Sequence, residues 1–475
     1  MGLPPVTGIR QAEGSRPVIL PLQGDAARLR SLPTRIARDG PLGVGLVDVQ
    51  EAPPIGARAK EPFVVMAKPV GPLCNLRCTY CYYLDKEHLY ARPHRFRMSD
   101  ELLESYIRQF IAASPGPVVP FTWHGGEPTL AGLDFYRLAV ELQQRYLPRG
   151  WTVWNNLQTN GLLLDDEWCS FLADRHFDVG VSVDGAKWLH DAYRRDRGDA
   201  GTYERVVAAV RRLQGHGVQP DLLCTVTSEA ARDPAGVYRA LRDLDTGWIQ
   251  FIPIVRRTED GKTTADSVTG AGYGHFLRTV FDEWIRHDLG RVQVQLFSEV
   301  AQVLAGGSAS LCWMAPTCGR VLVVEHDGAV YSCDHFVTPD HRIGDLASDA
   351  LHELVDGPEQ RRFGSDKEAL LPAQCRTCAW LPLCNGGCPK DRFAEAQDGE
   401  PGLYYLCSGL RDFFAHAEQP LRRVTELGRR GLTPAATMAE LRAESLARWS
   451  GIGRNDPCPC GSGRKAKNCC WSERW

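Results

Sequence analysis

Seventeen of the 475 residues are cysteine, and most of them stand at spacings that suit metal chemistry. Cys74, Cys78 and Cys81 form a C-x3-C-x2-C run in the segment CNLRCTYC. Three thiolates this close can hold three irons of a four-iron cluster, whereas a closed cluster takes four protein thiolates. The fourth iron is then open to an exogenous ligand, as reactive chemistry requires. A zinc knuckle completed by a distant ligand is the competing reading of the same residues. Eight more cysteines follow, Cys312, Cys318, Cys333, Cys375, Cys378, Cys384, Cys388 and Cys407, including a C-x2-C-x5-C-x3-C run. Eight makes two sets of four, enough for two closed iron–sulfur clusters or two four-cysteine zinc sites. Spacing alone leaves both open. Near the end, Cys458, Cys460, Cys469 and Cys470 stand as C-x-C-x8-C-C among Gly and Pro turns, which reads as one tetrahedral structural zinc site. Arg454, Arg464, Lys465 and Lys467 around it offset thiolate charge and offer a docking surface. Cys169 and Cys224 fall in apolar patterns and read as packing residues.

The elements that position these cysteines alternate between strand and helix. Candidate strands are Phe63–Lys68, Val118–Trp123, Thr152–Gln158, Asp178–Val183, Leu222–Thr227 and Trp248–Val255. Helical patterns follow at Ser99 onward, Leu133–Tyr146, Asp166–Asp174, Thr202–Gln214, Pro234–Asp243 and Tyr273–His287. Ser99 suits an N-cap, and Asp100 and Glu101 suit the first-turn dipole. Six βα units in series predict an α/β fold with a parallel sheet, a partial (β/α)6 barrel of TIM type. Barrel chemistry collects at strand C-termini. There the sequence puts the first cysteine run, then Gly125-Gly126-Glu127-Pro128, Gln158-Thr159-Asn160-Gly161 and Ser182-Val183-Asp184-Gly185. Glycines allow close backbone approach, and Glu127 offers a carboxylate for an ammonium group. Asn-Gly and Asp-Gly are also ordinary turn formers. Beyond about residue 305, turns multiply and cysteines become dense, the texture of a region stapled by metals.

Composition removes other classes. Formal charge is −3, from 55 basic and 58 acidic residues, which argues against a nucleic-acid or anionic-membrane binder. No apolar run reaches about 18 residues, so no transmembrane helix is expected. Val18–Leu22 is too short for a secretory signal, so a reducing, cytoplasmic setting is expected.

The C-x3-C-x2-C run, with aromatic Tyr80 before its last cysteine, resembles the radical S-adenosylmethionine (radical SAM) superfamily. That resemblance implies a [4Fe-4S] cluster on Cys74, Cys78 and Cys81 whose open iron is chelated by S-adenosylmethionine. Reductive cleavage then yields a 5′-deoxyadenosyl radical. It further implies cofactor contacts from Tyr80, Gly125, Gly126, Glu127, Gln158, Ser182, Asp184 and Arg194, with Arg195 and Arg197 as neighbouring competitors. The stretches KPVGPLCNLRCTYCYYLDKEHLY, TWHGGEPTL, QTNGLLL, VSVDG, IQFIPIV, YSCDHF, CNGGCPKDRF and DGEPGLYYLC resemble anaerobic sulfatase-maturating enzymes with a SPASM extension. By position, the resemblance assigns Cys312, Cys318, Cys333 and Cys388 to one auxiliary [4Fe-4S] cluster and Cys375, Cys378, Cys384 and Cys407 to a second. It implies oxidation of a Cys or Ser side chain of a sulfatase, in an unfolded or peptide-like segment, to Cα-formylglycine. Asp334 is the implied base, although alone it would read as a capping residue. Tyr83 is implied near the substrate, with a packing role as its competitor. His124 reads only as a loop-orienting residue. An external electron donor such as flavodoxin or ferredoxin is expected.

The tail resembles the SEC-C motif. The resulting domain plan is an N-terminal extension (1–61), the partial barrel (62–305), the SPASM extension (306–415), a helical linker (416–452) and the zinc tail (453–475). Two competing functions stand beside the main one. A maturase that installs thioether, carbon–carbon or epimer changes in a ribosomal peptide would use the same parts. A zinc scaffold would leave GGEP at a strand end without purpose.

Overall fold

The computed structural model describes residues 58–90, 96–459 and 462–468. Residues 1–57 of the N-terminal extension, and Cys460, Cys469 and Cys470 of the expected zinc site, lie outside the described residues.

Strands β1 (Val64–Ala67), β2 (Val118–Trp123), β3 (Thr152–Thr159), β4 (Asp178–Ser182), β5 (Asp221–Val226), β6 (Trp248–Pro253) and β7 (Gln293–Val294) run parallel in chain order. Helices α1 (Asp100–Ala113), α2 (Leu133–Tyr146), α3 (Asp166–Asp174), α4 (Lys187–Tyr193), α5 (Tyr203–Gly215), α6 (Pro234–Arg242), α7 (Gly270–His287) and α8 (Gln295–Leu304) fill the crossovers and follow β7. The expected strands and helices therefore appear, with ends shifted by up to three residues. Ser99 caps α1 by accepting a hydrogen bond from the Leu102 N–H at 3.2 Å. β2 alternates buried and half-buried positions along its length. Its buried face carries Val119, Phe121 and Trp123, of which Phe121 and Trp123 meet Tyr106, Phe110, Phe135 and Tyr136 in edge-to-face ring contacts. Each such side chain contributes roughly 1.5–3 kcal/mol by leaving water.

The extension is built into this sheet. β8 (Val321–Val324) pairs in parallel with β1, and β9 (Ala329–Tyr331) and β10 (Arg342–Asp345) continue antiparallel beyond it. The outcome is one ten-stranded sheet, ordered β10-β9-β8-β1-β2-β3-β4-β5-β6-β7, open between β7 and β10. The expected division at residue 305 is thus a change of texture within one sheet. Short helices α9 (Leu351–Val355), α10 (Pro358–Ala369), α11 (Ala373–Arg376) and α12 (Leu381–Cys384) and the hairpin β11 (Ala394–Glu395) and β12 (Pro401–Leu403) complete the extension.

Two boundaries need correction. The expected linker at 416–452 is mostly packed structure, because α13 (Cys407–Arg429) buries Leu410, Phe413, Phe414, Ala417, Leu421, Val424 and Leu427. It lies against α7 at glycine contact distance: a Cβ on Gly409 would stand 2.0 Å from the Gly270 carbonyl oxygen. Helix α14 (Pro434–Arg448) packs against α7 and α13. The N-terminal boundary moves as well, since Ala59 is buried and its N–H donates to the Ala113 carbonyl.

Candidate functional site

Two loops at the C-terminal ends of β1 and β2 are bound together. Gly126 N–H donates to the Gly71 carbonyl at 2.8 Å and Glu127 N–H to the Leu73 carbonyl at 2.9 Å, one residue before Cys74. A side chain at Gly126 would strike the Leu73 carbonyl, its Cβ only 2.1 Å away, so only glycine allows the approach. The Glu127 carboxylate, expected to receive an ammonium group, is buried at the ends of two strands. Its Oε1 accepts from Thr129 and Thr159 and its Oε2 from the Asn160 N–H, so it ties the ends of β2 and β3 together. Gln158 and Ser182, at the ends of β3 and β4, meet through a 3.2 Å hydrogen bond.

Arg194 is distinguished from its neighbours by position. The short helix α4, missed in the sequence, ends on it and turns its guanidinium inward onto buried Asp184 in a two-pronged ion pair, 2.9 Å and 3.2 Å. Tyr80 donates to the same carboxylate, and Arg194 lies 5.5 Å from the Tyr80 ring centroid. Burial pushes the Asp184 carboxyl upward, but Arg194 and His190 outweigh it and hold it below the usual carboxylate range. Arg195 instead contacts Asp199 and the Asp191 carbonyl, and Arg197 the Cys74 carbonyl. Arg194 also faces Cys78. Burial pushes the Cys74 thiol up to about 12 and the Cys78 thiol up to about 11. Bound iron offsets that cost, because coordination keeps a thiolate deprotonated. Cys74, Cys78 and Cys81 face one another with open space beside Cys74, and among the described residues no fourth cysteine acts on them, which fits an open-iron cluster.

Asp334, 266 residues after Lys68, meets it across the seam between β1 and the extension. Lys68 is fully buried at the end of β1; its Nζ donates to Asp334 Oδ1 and to His124 Nδ1, the latter at 2.9 Å. Tyr82 donates to Asp334 Oδ2. Burial alone would raise the Asp334 carboxyl, but Lys68, His124 and His335 outweigh it and hold it well below the usual carboxylate range. Burial and Lys68 hold the His124 imidazole down at about 4. Its Nδ1 also accepts from the Gly125 N–H at 2.8 Å, so the neutral ring carries its proton on Nε2. The sequence signal for Lys68 was a lone charge closing an otherwise apolar strand; Tyr82 and His335 had none. Tyr83, expected near the substrate, is only 2% exposed. Its hydroxyl donates to buried Glu325, and Lys68 lies over its ring at 4.6 Å. Its neighbour Tyr82, which contacts Asp334, is 40% exposed.

The eight extension cysteines gather in two sets. Cys375, Cys378, Cys384 and Cys407 line one recess of about 410 Å³ with Tyr404, Leu410 and Phe414. Cys312, Cys318, Cys333 and Cys388 face one another electrostatically in the second. Burial pushes the Cys384, Cys388 and Cys407 thiols up to about 11, so a metal load is again needed to keep them ionised. Cys169 and Cys224 are fully buried, as expected of packing residues. In the tail, Cys458 is buried with Trp449 and Ala466, and the four neighbouring basic residues are exposed. Among the described residues, no three His, Cys, Asp or Glu side chains converge tightly enough to hold a single metal ion.

Open-iron and closed cysteine sets on a parallel α/β sheet define a radical SAM enzyme with an iron–sulfur extension. Residues 69–229 match the radical SAM superfamily, residues 312–379 an iron–sulfur cluster-binding domain (SPASM), and residues 454–472 the SEC-C motif. The serine-type anaerobic sulfatase-maturating enzyme of Bacteroides thetaiotaomicron is 40% identical over 401 residues, 81% of this chain and 97% of that protein. The cysteine-type enzyme of Clostridium perfringens is 33% identical over 359 residues, 75% of this chain and 96% of its own. The structure of native anSMEcpe with bound AdoMet and Cp18Cys peptide superposes with a TM-score of 0.70 at 32% identity, over 77% of this chain and 99% of that one. The chain belongs to the anaerobic sulfatase-maturating enzymes. Streptococcus suis SuiB bound to precursor peptide SuiA, at 14% identity and a TM-score of 0.51, shares the fold alone. Among the described residues no helix is long and apolar enough to cross a membrane.

Proposed function

We propose that this chain oxidises a Cys or Ser side chain, in a peptide-like segment of a sulfatase, to Cα-formylglycine, with Asp334 as the base. When bound, S-adenosylmethionine on the three-cysteine cluster supplies the radical that removes a Cβ hydrogen, and an auxiliary cluster supplies the electron sink. Gly125, Gly126, Glu127, Gln158, Ser182 and Arg194 orient that cofactor, with Tyr80 and Asp184 fixing Arg194. Lys68 keeps Asp334 ionised and aimed through Oδ1. Tyr82, on Oδ2, is the partner that an incoming thiol or hydroxyl displaces. Loss of the Cβ hydrogen makes that thiol or hydroxyl far more acidic, which suits a carboxylate held low. The observation that carries this reading is the Lys68–Asp334–Tyr82 contact, directly beside Cys333 and spanning both regions. Three [4Fe-4S] clusters, one structural zinc in the tail, an external donor such as flavodoxin or ferredoxin and a cytoplasmic setting complete the proposal.

The test is anaerobic incubation with S-adenosylmethionine, reductant and Cys-x-Pro-x-Arg or Ser-x-Pro-x-Arg peptides, followed by mass spectrometry. An aldehyde product is expected, and Asp334→Asn is expected to keep 5′-deoxyadenosine formation while losing about 10²–10⁴-fold in product. Product at the parent rate would remove Asp334 as the base. A crosslink or epimer in place of the aldehyde would favour the peptide-maturase alternative.

A further inference from the structure

Two cations lie among the auxiliary ligands, away from the reacting groups. Lys367 in α10 is 1% exposed, and its Nζ donates to the carbonyls of Cys312 at 3.0 Å, Trp313 at 2.9 Å and Ala315. Arg392 donates to the carbonyls of Gly386 at 2.8 Å, Asn385 at 2.9 Å and Gly387 at 3.4 Å, and to that of Lys367. Residues 385–387 are the joint between Cys384 of one ligand set and Cys388 of the other. A continuous bridge therefore runs from the Cys312 loop through Lys367 and Arg392 to the junction of the two sets.

The charged surroundings of both cations are thiols. Lys367 faces Cys318 and Cys312 first, then Arg392 and Cys388; Arg392 faces Cys375, Cys318, Cys388 and Cys384. A buried cation is costly unless an opposite charge compensates it. Here the compensating charge must come from the loaded ligand sets. Reduction of a cluster adds negative charge, and fixed positive charge nearby favours it.

We propose that Lys367 and Arg392 are positioning residues that set the electron affinity of the auxiliary clusters. Lys367 acts chiefly on the cluster of Cys312, Cys318, Cys333 and Cys388, and Arg392 acts on both. Cys312, Cys318, Cys333 and Cys388 would hold the group that takes the one electron lost by the substrate carbon radical, and Asp334 would take the proton. The oxidised substrate and the reduced cluster balance. The proposal rests on the eight cysteines holding two iron–sulfur clusters.

The test uses the full chain carrying Cys74→Ala, Cys78→Ala and Cys81→Ala, reconstituted anaerobically, with iron and sulfide analysis and EPR-monitored redox titration. About eight irons are expected. Lys367→Met should move one midpoint clearly to more negative potential and the other less. Arg392→Gln should move both, and Lys367→Arg should stay near the parent. Unmoved midpoints in an iron-replete Lys367→Met protein would overturn the proposal. So would equal shifts in the Met and Arg variants, or loss of iron from both, which would leave Lys367 a folding clamp. A parent without iron and sulfide would instead sink the two-cluster reading beneath it.

Discussion

The three-cysteine loop and the eight-cysteine extension solve opposite problems on one sheet. Cys74 borders an open recess of about 740 Å³, next to Asn75, Leu130, Leu162 and Arg197. Its loop is held by backbone hydrogen bonds and by glycines that admit close approach. Cys375, Cys378, Cys384 and Cys407 instead line a smaller recess walled by Leu410 and Phe414, with Arg392 facing two of those thiols, Cys375 and Cys384. A site that must bind a cofactor keeps space open beside its thiols. A site that only stores an electron completes its ligands and surrounds them with compensating charge.

The largest effects should come from breaking one ligand set at a time. Cys78→Ala is expected to reduce 5′-deoxyadenosine and product to background while about eight irons remain. Cys384→Ala is expected to lose about four irons and most product, yet to continue making 5′-deoxyadenosine. Iron and sulfide analysis with chromatography of the nucleoside checks both. Abolished cleavage in Cys384→Ala would show that the two regions do not divide the labour this way.

A smaller effect tests whether the regions are separate units at all. Phe413 on α13 is fully buried, with its ring 6.0 Å from Phe281 and 5.4 Å from Phe297. It joins a helix that begins on the auxiliary ligand Cys407 to the barrel helices α7 and α8. Phe413→Ala should cost about 3–5 kcal/mol. Denaturant unfolding followed by both tryptophan fluorescence and cluster absorbance should shift together. A shift in only one signal would show two independently folding parts.

The same contrast governs what was legible in the sequence. The parallel strands read clearly, and so did amphipathic helices such as Leu133–Tyr146, because periodicity is local. Cysteine spacing is also local, and it exposed all three metal-suited systems. The junctions were hidden because they join residues far apart in the chain. Lys68 and Asp334 acquire meaning only when β8 pairs with β1, and no periodicity encodes that pairing. Helix α13 read as a linker because its charged face dominates its composition, while its apolar stripe is spread over 23 residues. Tyr82 and Tyr83 are adjacent and chemically identical, so only the turn that follows β1 decides which one faces Asp334. Glu127 was legible as a carboxylate in the right place, but its ties to Thr129, Thr159 and Asn160 come from the ends of two strands.

The smallest effect concerns the groups that fix Arg194 on the barrel side. His190 is fully buried; its Nδ1 accepts from the Asp184 N–H at 3.3 Å, so its Nε2 donates to Thr202 Oγ1 at 3.0 Å. Thr202 in turn donates to the Arg194 carbonyl at 2.8 Å. Burial, with a smaller contribution from Arg194, holds the imidazole at about 4, below its ordinary value of 6.5. Between those values the unfolded chain binds more protons at this site than the folded one, so stability falls as pH drops from 6.5 towards 4. At about 1.36 kcal/mol per pH unit, His190 alone should remove about 2 kcal/mol between pH 6.5 and pH 5. Chemical denaturation at the two pH values should show that loss in the parent, and a drop smaller by about that amount in His190→Gln. Equal pH dependence in the two proteins would mean that His190 is protonated as readily in the folded chain as in the unfolded one. The barrel site would then use charge compensation around its buried groups, as the extension does, and would not depend on a neutral hydrogen-bonded brace.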